Sequence, residues 1–250
     1  MKIFHISDLH FGYHKEEIID SFKAFTQNNK PDLIIITGDL THRAKKDQFK
    51  QAAEFISNLG IDIFCIPGNH DIPLYRISSR LTHPFKNYKE YVHSNLEPVF
   101  ENDLIKIVGL NSVNPYSIKK GKINTQQIKK VETAFYNTDK WNILAFHHNI
   151  TQIENLHKAL PSAQQLANIS ATSPIDLICT GHLHYKCIKP LLPNIDKPVV
   201  AHAGSLSCKR TNDKTNSFFC FSITKDEFQI DEYCFNDVSF SISNYLSYWR

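Results

Sequence analysis

In the amino-terminal part of the chain, short unbroken apolar runs alternate with stretches whose apolar residues recur every three or four positions. "KIFHIS" (2–7) and "DLIIIT" (32–37) are runs of the first kind, the second lying between Pro31 and Gly38. So continuous a run is expected of a strand covered on both faces. Between them Ile18, Ile19, Phe22 and Phe25 share one helical face. Phe49, Ala52, Ala53, Phe55, Ile56 and Leu59 repeat that spacing, and Gly60 supplies a stop. "IDIFCI" (61–66) is a third run. Strand, helix, strand, helix, strand predicts an α/β domain with a parallel sheet.

Beyond this the pattern is less regular. Residues 72–95 mix aromatic and basic side chains and read as a helical or irregular excursion, a lid or an insertion. "PVFENDLIKIVGLNS" (98–112) predicts a hairpin turning at Asn102–Asp103. A Lys-rich loop (115–122), a helix (125–136), a strand (142–148), a helix (154–169) and a strand (175–180) follow. The tail reads as strands: "YKCIKPLL", "KPVVAHAG" and a final pair, "SFFCFSIT" and "EFQIDEYCF". No repeat or linker interrupts the chain, so residues 1–250 are expected to form a single domain.

Composition adds little to this picture. Twenty-eight basic against 25 acidic residues leave a net charge of +3, too balanced to point to nucleic acid or a membrane surface. The six cysteines form no CxxC pair, and Cys65, Cys179, Cys220 and Cys234 lie in strand-like runs as small core residues would. The apolar run after Met1 is broken by His5 and Asp8, so no signal peptide is expected, and no run approaches the roughly 20 residues of a membrane span. A reduced, soluble, cytoplasmic protein is the expectation.

The chemistry collects at strand ends. Asp8 and His10 follow the first run, Asp39 the second, and Asn69, His70 and Asp71 the third. His147 and His148 close the run from Asn142, and His182 and His184 follow "IDLICT". Carboxyl ends of neighbouring parallel strands open into one crevice, so these groups are expected on one rim. Singly, each is an ordinary turn or loop residue; the ordered set is not. It holds more donors than one tetrahedral ion uses, and its mixture of carboxylate, imidazole and amide oxygen suits two divalent ions drawn from Mn, Fe, Zn or Co. A carboxylate such as Asp39 can bridge ions about 3.5–4 Å apart, the separation used for displacement at phosphorus, with a shared water as nucleophile. His70 is then free to donate a hydrogen bond to phosphate or a proton to the leaving oxygen.

"ISDLHFG", "ITGDLT", "IPGNHD", "FHHN" and "TGHLH" resemble, in order and spacing, the motifs of the calcineurin-like metallophosphoesterase superfamily, and they cover residues 3–184. The resemblance implies a four-layer α-β-β-α sandwich of two mixed sheets flanked by helices, with a dinuclear site at the strand carboxyl ends. It implies Asp8, His10 and His184 on one ion, Asn69, His147 and His182 on the other, Asp39 between them, and His70 as the catalytic histidine. Asn149 stands where the family often has Pro after His-x, which favours His147 over His148 as ligand. Phosphoprotein phosphatases of the superfamily carry GD-x-x-D-R-G; "GDLTHRA" puts His42 at the second Asp, which argues against that branch and leaves the group that orients His70 open.

Among members of the superfamily the motifs look most like bacterial cyclic-nucleotide phosphodiesterases. The expected substrate is a small phosphodiester such as a 3′,5′-cyclic nucleotide, contacted by Asn69, His70 and His202. The alternatives are a DNA exonuclease-type enzyme, whose relatives continue into a DNA-binding cap, and a pyrophosphatase acting on a nucleotide-sugar lipid with residues 72–95 as an apolar lid. A binding scaffold is disfavoured because every ligand position is filled. The clusters at Lys119, Lys120, Lys122, Lys129, Lys130, Lys209 and Arg210 read as solvated faces, so nucleic acid is the less favoured partner. His5, His14, His42, His83, His93 and His157 read as structural or exposed, with His83 the second candidate, after His202, for substrate contact.

Overall fold

The computed structural model describes residues 1–249 apart from 137, 154, 155, 157 and 193–195. In chain order the elements are β1 (Lys2–Ile6), α1 (Glu16–Asn29), β2 (Leu33–Thr37), α2 (Lys46–Leu59), β3 (Asp62–Ile66), α3 (Ile77–Thr82), α4 (Lys86–Tyr91), β4 (Val99–Glu101) and β5 (Ile105–Gly109). They continue with α5 (Thr125–Ala134), β6 (Trp141–Ala145), α6 (Ala163–Thr172), β7 (Leu177–Thr180), β8 (Cys187–Pro190), β9 (Val199–His202), β10 (Ser217–Ile223), β11 (Glu227–Phe235) and β12 (Phe240–Trp249).

Two six-stranded mixed sheets result, one ordered β12-β11-β10-β1-β2-β3 and the other β4-β5-β6-β7-β9-β8. The continuous apolar run of β2 has a direct cause. Leu33 and Ile35 enter the core shared with the second sheet, while Ile34 and Ile36 meet Phe22, Phe49 and Phe55 of α1 and α2. Helices α5 and α6 cover the second sheet through Ile128, Val131 and Leu166. Trp141 couples the sheets, since its Nε1 donates to the Thr224 carbonyl at 2.8 Å and its ring lies 5.8 Å from that of Phe228. The four-layer sandwich expected from the motifs is the fold. Parallel β1, β2 and β3 of one sheet and parallel β5, β6, β7 and β9 of the other all end on the same edge of the sandwich.

Two expectations need correction. The helix placed at 154–169 is α6, Ala163–Thr172, and residues 154, 155 and 157 lie outside the described set. Pro161 cannot occupy a helix interior, so the helix begins after it. The tail also carries a further strand, β12, beyond the pair taken as final. It is an exposed edge with a bulge opposite Glu232/Tyr233, where Ser243 and Asn244 interrupt an otherwise alternating run of Phe240, Ile242, Leu246 and Tyr248. Residues 72–95 contain the short helices α3 and α4, as the weak periodicity there allowed. Among the described residues no helix is long and apolar enough to cross a membrane.

Candidate metal centre

The strand ends meet through unusual backbone. Asp8, His10, Asp39, His182 and His184 all have φ between 51° and 81°, five of the nine non-glycine residues with positive φ among the described residues. That conformation is strained for residues bearing a Cβ, and its concentration here marks the turns as shaped for their side chains. Gly38 (φ 89°) and Gly68 sit against each other: a Cβ on Gly68 would collide with the Asp39 backbone and carboxylate. Small residues at these two points allow the β2 and β3 turns to touch.

Asp71 locks that contact. Its carboxylate accepts hydrogen bonds from the backbone N–H groups of Leu40 (3.2 Å), Thr41 (2.9 Å) and Gly68 (2.9 Å), and from Thr41 Oγ1 (3.1 Å). Burial, with the nearby Asp39 charge adding to it, pushes its pKa up to about 6, and the three N–H donors work against that rise. Replacing Asp71 with alanine strands three buried donors, each worth about 1–3 kcal/mol. Asp71→Ala is expected to lower unfolding free energy by at least about 3 kcal/mol in urea titrations, with Asp71→Asn, which keeps acceptor oxygen, losing less.

The side chains converge as two groups sharing one member. Asp8, His10, Asp39 and His184 have ligand atoms within 4.8 Å of one another, and so do Asp39, His147 and His182. Asn69 joins the second group, with Oδ1 3.0 Å from His147 Nε2 and 2.9 Å from His182 Nδ1. Hydrogen bonds behind the centre set which atoms face inward. His147 Nδ1 donates to the Thr37 carbonyl (2.7 Å) and His184 Nδ1 to that of Arg210 (2.7 Å), so both Nε2 lone pairs point in. The Asn69 amide Nδ2 donates to the Ile118 carbonyl (3.2 Å), which turns Oδ1 inward. Asp8 Oδ1 is buried 3.0 Å from His184 Nε2 yet forms no hydrogen bond among the described residues.

Acceptors aimed at one another without donors between them repel unless positive charge lies among them. Protons can play that part. Although burial opposes it, the Asp39 carboxylate raises the His147 pKa to about 9, and Asp8 raises that of His184. Against the upward push of burial, those imidazoles hold both carboxylates below the usual range. Two buried carboxylates with convergent ring nitrogens and an amide oxygen are equally the donor set of divalent cations, and the residues present fit a pair of them.

His70 stands at the rim. Its backbone N–H donates to Asp39 Oδ1 (2.8 Å), its Nδ1 lies 2.8 Å from the His42 carbonyl, and its ring is 4.8 Å from that of His10. The group that orients it is therefore main chain, and His42, read from the sequence as structural, supplies it. The only signal was its place in "GDLTH", where the phosphoprotein phosphatases have their aspartate. With Asn69, His70 lines a small cleft whose other walls are His42, Arg43, Ile72, Leu74 and Ile118.

His148 turns away, its Nδ1 2.8 Å from Ser112 Oγ. The structure does not bring His202 to the rim: it is 1% exposed, with Nδ1 2.7 Å from Thr180 Oγ1, beneath the centre. His83 is exposed, its Nδ1 turned to Thr82 Oγ1, and joins no group at the centre, while His157 lies outside the described residues. A thiol was missed. Cys208, after β9, lies within 4.8 Å of the His10 and His184 ring nitrogens but outside the group that contains both aspartates.

A family model, Metallophos: Calcineurin-like phosphoesterase, matches residues 1–186. A probable glycerophosphodiester phosphodiesterase GpdQ of Arcobacter nitrofigilis is 29% identical over 62% of this chain and 57% of its own. The DNA double-strand break repair protein Mre11 of Methanococcus maripaludis is 26% identical over 82% of this chain and 57% of its own. A probable cyclic nucleotide phosphodiesterase of Synechococcus is 23% identical, covering 65% and 62%. The chain thus spans less than two thirds of the length of these relatives. A dimetal phosphatase from Danio rerio superposes with a TM-score of 0.71 over 99% of this chain and 98% of its own at 10% identity. A purple acid phosphatase from yellow lupin gives 0.78 over 99% and 53%, also at 10%.

Proposed function

Because the chain belongs to the calcineurin-like phosphoesterase family and is a metallophosphoesterase, we propose that it hydrolyses a phosphodiester at the centre built around Asp39. The observation that carries this reading is the pair of inward-facing donor groups joined by one buried carboxylate. In this reading Asp8, His10 and His184 hold one divalent ion, Asn69, His147 and His182 the other, and Asp39 serves both. Bound there, the ions supply Lewis acidity, acidifying water and neutralising the phosphoryl oxygens; Mn, Fe, Zn and Co all suit these donors.

The protein's own groups do the remaining work. The Thr37, Arg210 and Ile118 carbonyls fix the facing of His147, His184 and Asn69, so that little reorganisation is needed when charge develops. His70, held through Nδ1 by the His42 carbonyl, presents Nε2 as the atom that binds a phosphoryl oxygen or passes a proton to the departing oxygen. Leu74 and Ile118, beside His70 at the rim, offer apolar contact to a second ester substituent, which a monoester lacks. The relatives named for glycerophosphodiesters and cyclic nucleotides support the same preference. We also propose that residues 1–250 act as one domain.

Hydrolysis of bis-p-nitrophenyl phosphate against p-nitrophenyl phosphate tests the reading. Manganese-loaded protein is expected to turn over the diester at least about tenfold faster, and chelation should abolish both activities. A monoester preference would overturn it.

A further inference from the structure

One thiol stands among the groups of the centre. Cys208 is 1% exposed, and its Sγ, a ring nitrogen of His10 and a ring nitrogen of His184 all lie within 4.8 Å of one another. The three other buried cysteines pack as small apolar residues: Cys179 belongs to the cluster shared by the two sheets, Cys65 and Cys220 to that under α1 and α2. Cys208 belongs to neither. The segment that carries it, after β9, is tied to the turn after β1. Ser205 Oγ donates to the Asp8 carbonyl (2.7 Å) and Ser207 Oγ to that of Leu9 (2.8 Å). Ser205 Oγ also accepts the Cys208 N–H (2.9 Å), and Asn216 Nδ2 donates to the Cys208 carbonyl (3.1 Å). The thiol is thus held in place beside the turn that supplies Asp8 and His10.

His10 differs from the other imidazoles facing the aspartates. His147 and His184 are each pinned through Nδ1 by a main-chain carbonyl, whereas His10 Nδ1 is buried without a hydrogen-bond partner among the described residues. Its Nε2 lies 3.5 Å from Asp8 Oδ1 and 3.6 Å from Asp39 Oδ2. A neutral imidazole has one lone pair to give, so His10 and His184 each serve one cation at a time. That cation sits either against the aspartates or beside the thiol, because Cys208 falls outside the group that contains both carboxylates.

One cysteine and two histidines, with water in the fourth place, form the donor set of an open zinc site. Thiolate draws thiophilic ions, where carboxylate draws hard ones. We propose that His10, His184 and Cys208 form a second, competing position for a thiophilic divalent cation such as zinc or cadmium, so that the thiol sets which metal the centre works with. As the metal–sulfur bond forms, the thiol proton passes to water. An ion seated there takes two imidazoles from the position served by Asp8 and leaves the centre half assembled. A hard ion such as manganese gains little from sulfur and stays with the carboxylates. The position rests on this geometry alone; its effect on turnover rests on the phosphodiesterase reading above.

X-ray absorption at the zinc edge, on manganese-loaded protein given one equivalent of zinc, tests it. One sulfur at about 2.3 Å is expected, with nitrogens at about 2.0–2.1 Å. Elemental analysis after desalting should show about one manganese equivalent lost, and hydrolysis of bis-p-nitrophenyl phosphate should fall about fivefold or more. Cys208→Ser should leave zinc with nitrogen and oxygen neighbours only and raise the zinc needed to displace manganese about tenfold or more. Cys208→Ala is expected to do the same without a hydroxyl in the thiol's place, so the result does not hang on one variant's folding. Zinc surrounded by nitrogen and oxygen alone in the unsubstituted protein, with the manganese form still hydrolysing the diester, would overturn the competing position and leave the phosphodiesterase reading standing. So would sulfur that persists at zinc in both variants. Sulfur lost on substitution, with no diester hydrolysed by the manganese form, would uphold the position and refute the reading of the reaction.

Discussion

Asp39→Ala is expected to empty the centre: fewer than half an equivalent of manganese retained after desalting, and turnover of bis-p-nitrophenyl phosphate reduced by at least about 10³-fold. The size follows from Asp39 belonging to both donor groups, so that one substitution removes a ligand atom from each proposed ion. It also follows from charge. The centre has two aspartates, and Asp39 is the one carboxylate in the group with His147 and His182, so without it that half of the site offers only neutral donors. A neutral site binds a divalent ion poorly. The alanine variant loses a second contact as well, because Asp39 Oδ1 accepts the His70 backbone N–H. Asp39→Asn separates the two effects, since it keeps an acceptor near that N–H while removing the charge. Both variants should be nearly metal-free by elemental analysis. Two bound equivalents in either would refute the shared role of Asp39.

The reasons for what the sequence disclosed are visible residue by residue. Leu33 to Ile36 could be read as a strand covered on both faces because each side chain has a core to enter. The residues of the centre were legible because all of them follow such runs, and chain direction in parallel strands sends every carboxyl end to the same edge. That choice extends to His147 over His148, which the structure places respectively inside and outside the inward-facing group. What stayed hidden has equally specific causes. The acceptor that orients His70 is the carbonyl of His42, and a main-chain atom leaves no mark in side-chain identity. Strand β12 pairs with β11 through a register shift opposite Glu232/Tyr233, and no pattern within its own residues records which strand it joins. The insertion of β9 between β7 and β8 reverses sequence order within the sheet, which no local pattern records.

His70→Ala should behave in the opposite way to the substitution at Asp39. Two equivalents of manganese are expected to remain, because His70 contributes only its backbone N–H to Asp39, and alanine keeps that group. Folding should change little, since the residue is only partly buried and its ring is held through Nδ1 by a single main-chain carbonyl, that of His42, among the described residues. Turnover is expected to fall about 10²- to 10⁴-fold if Nε2 passes a proton to the departing oxygen. The magnitude depends on the leaving group. p-Nitrophenolate departs readily without a proton, so the loss on bis-p-nitrophenyl phosphate should lie at the low end. A nucleoside or glycerol alkoxide is strongly basic and needs the proton, so the loss on such a diester should be larger by about tenfold or more. If Nε2 instead only stabilises charge on a phosphoryl oxygen, the two substrates should suffer equally. Loss of metal from His70→Ala would place the ring among the ligands and remove it from the chemistry assigned to it here.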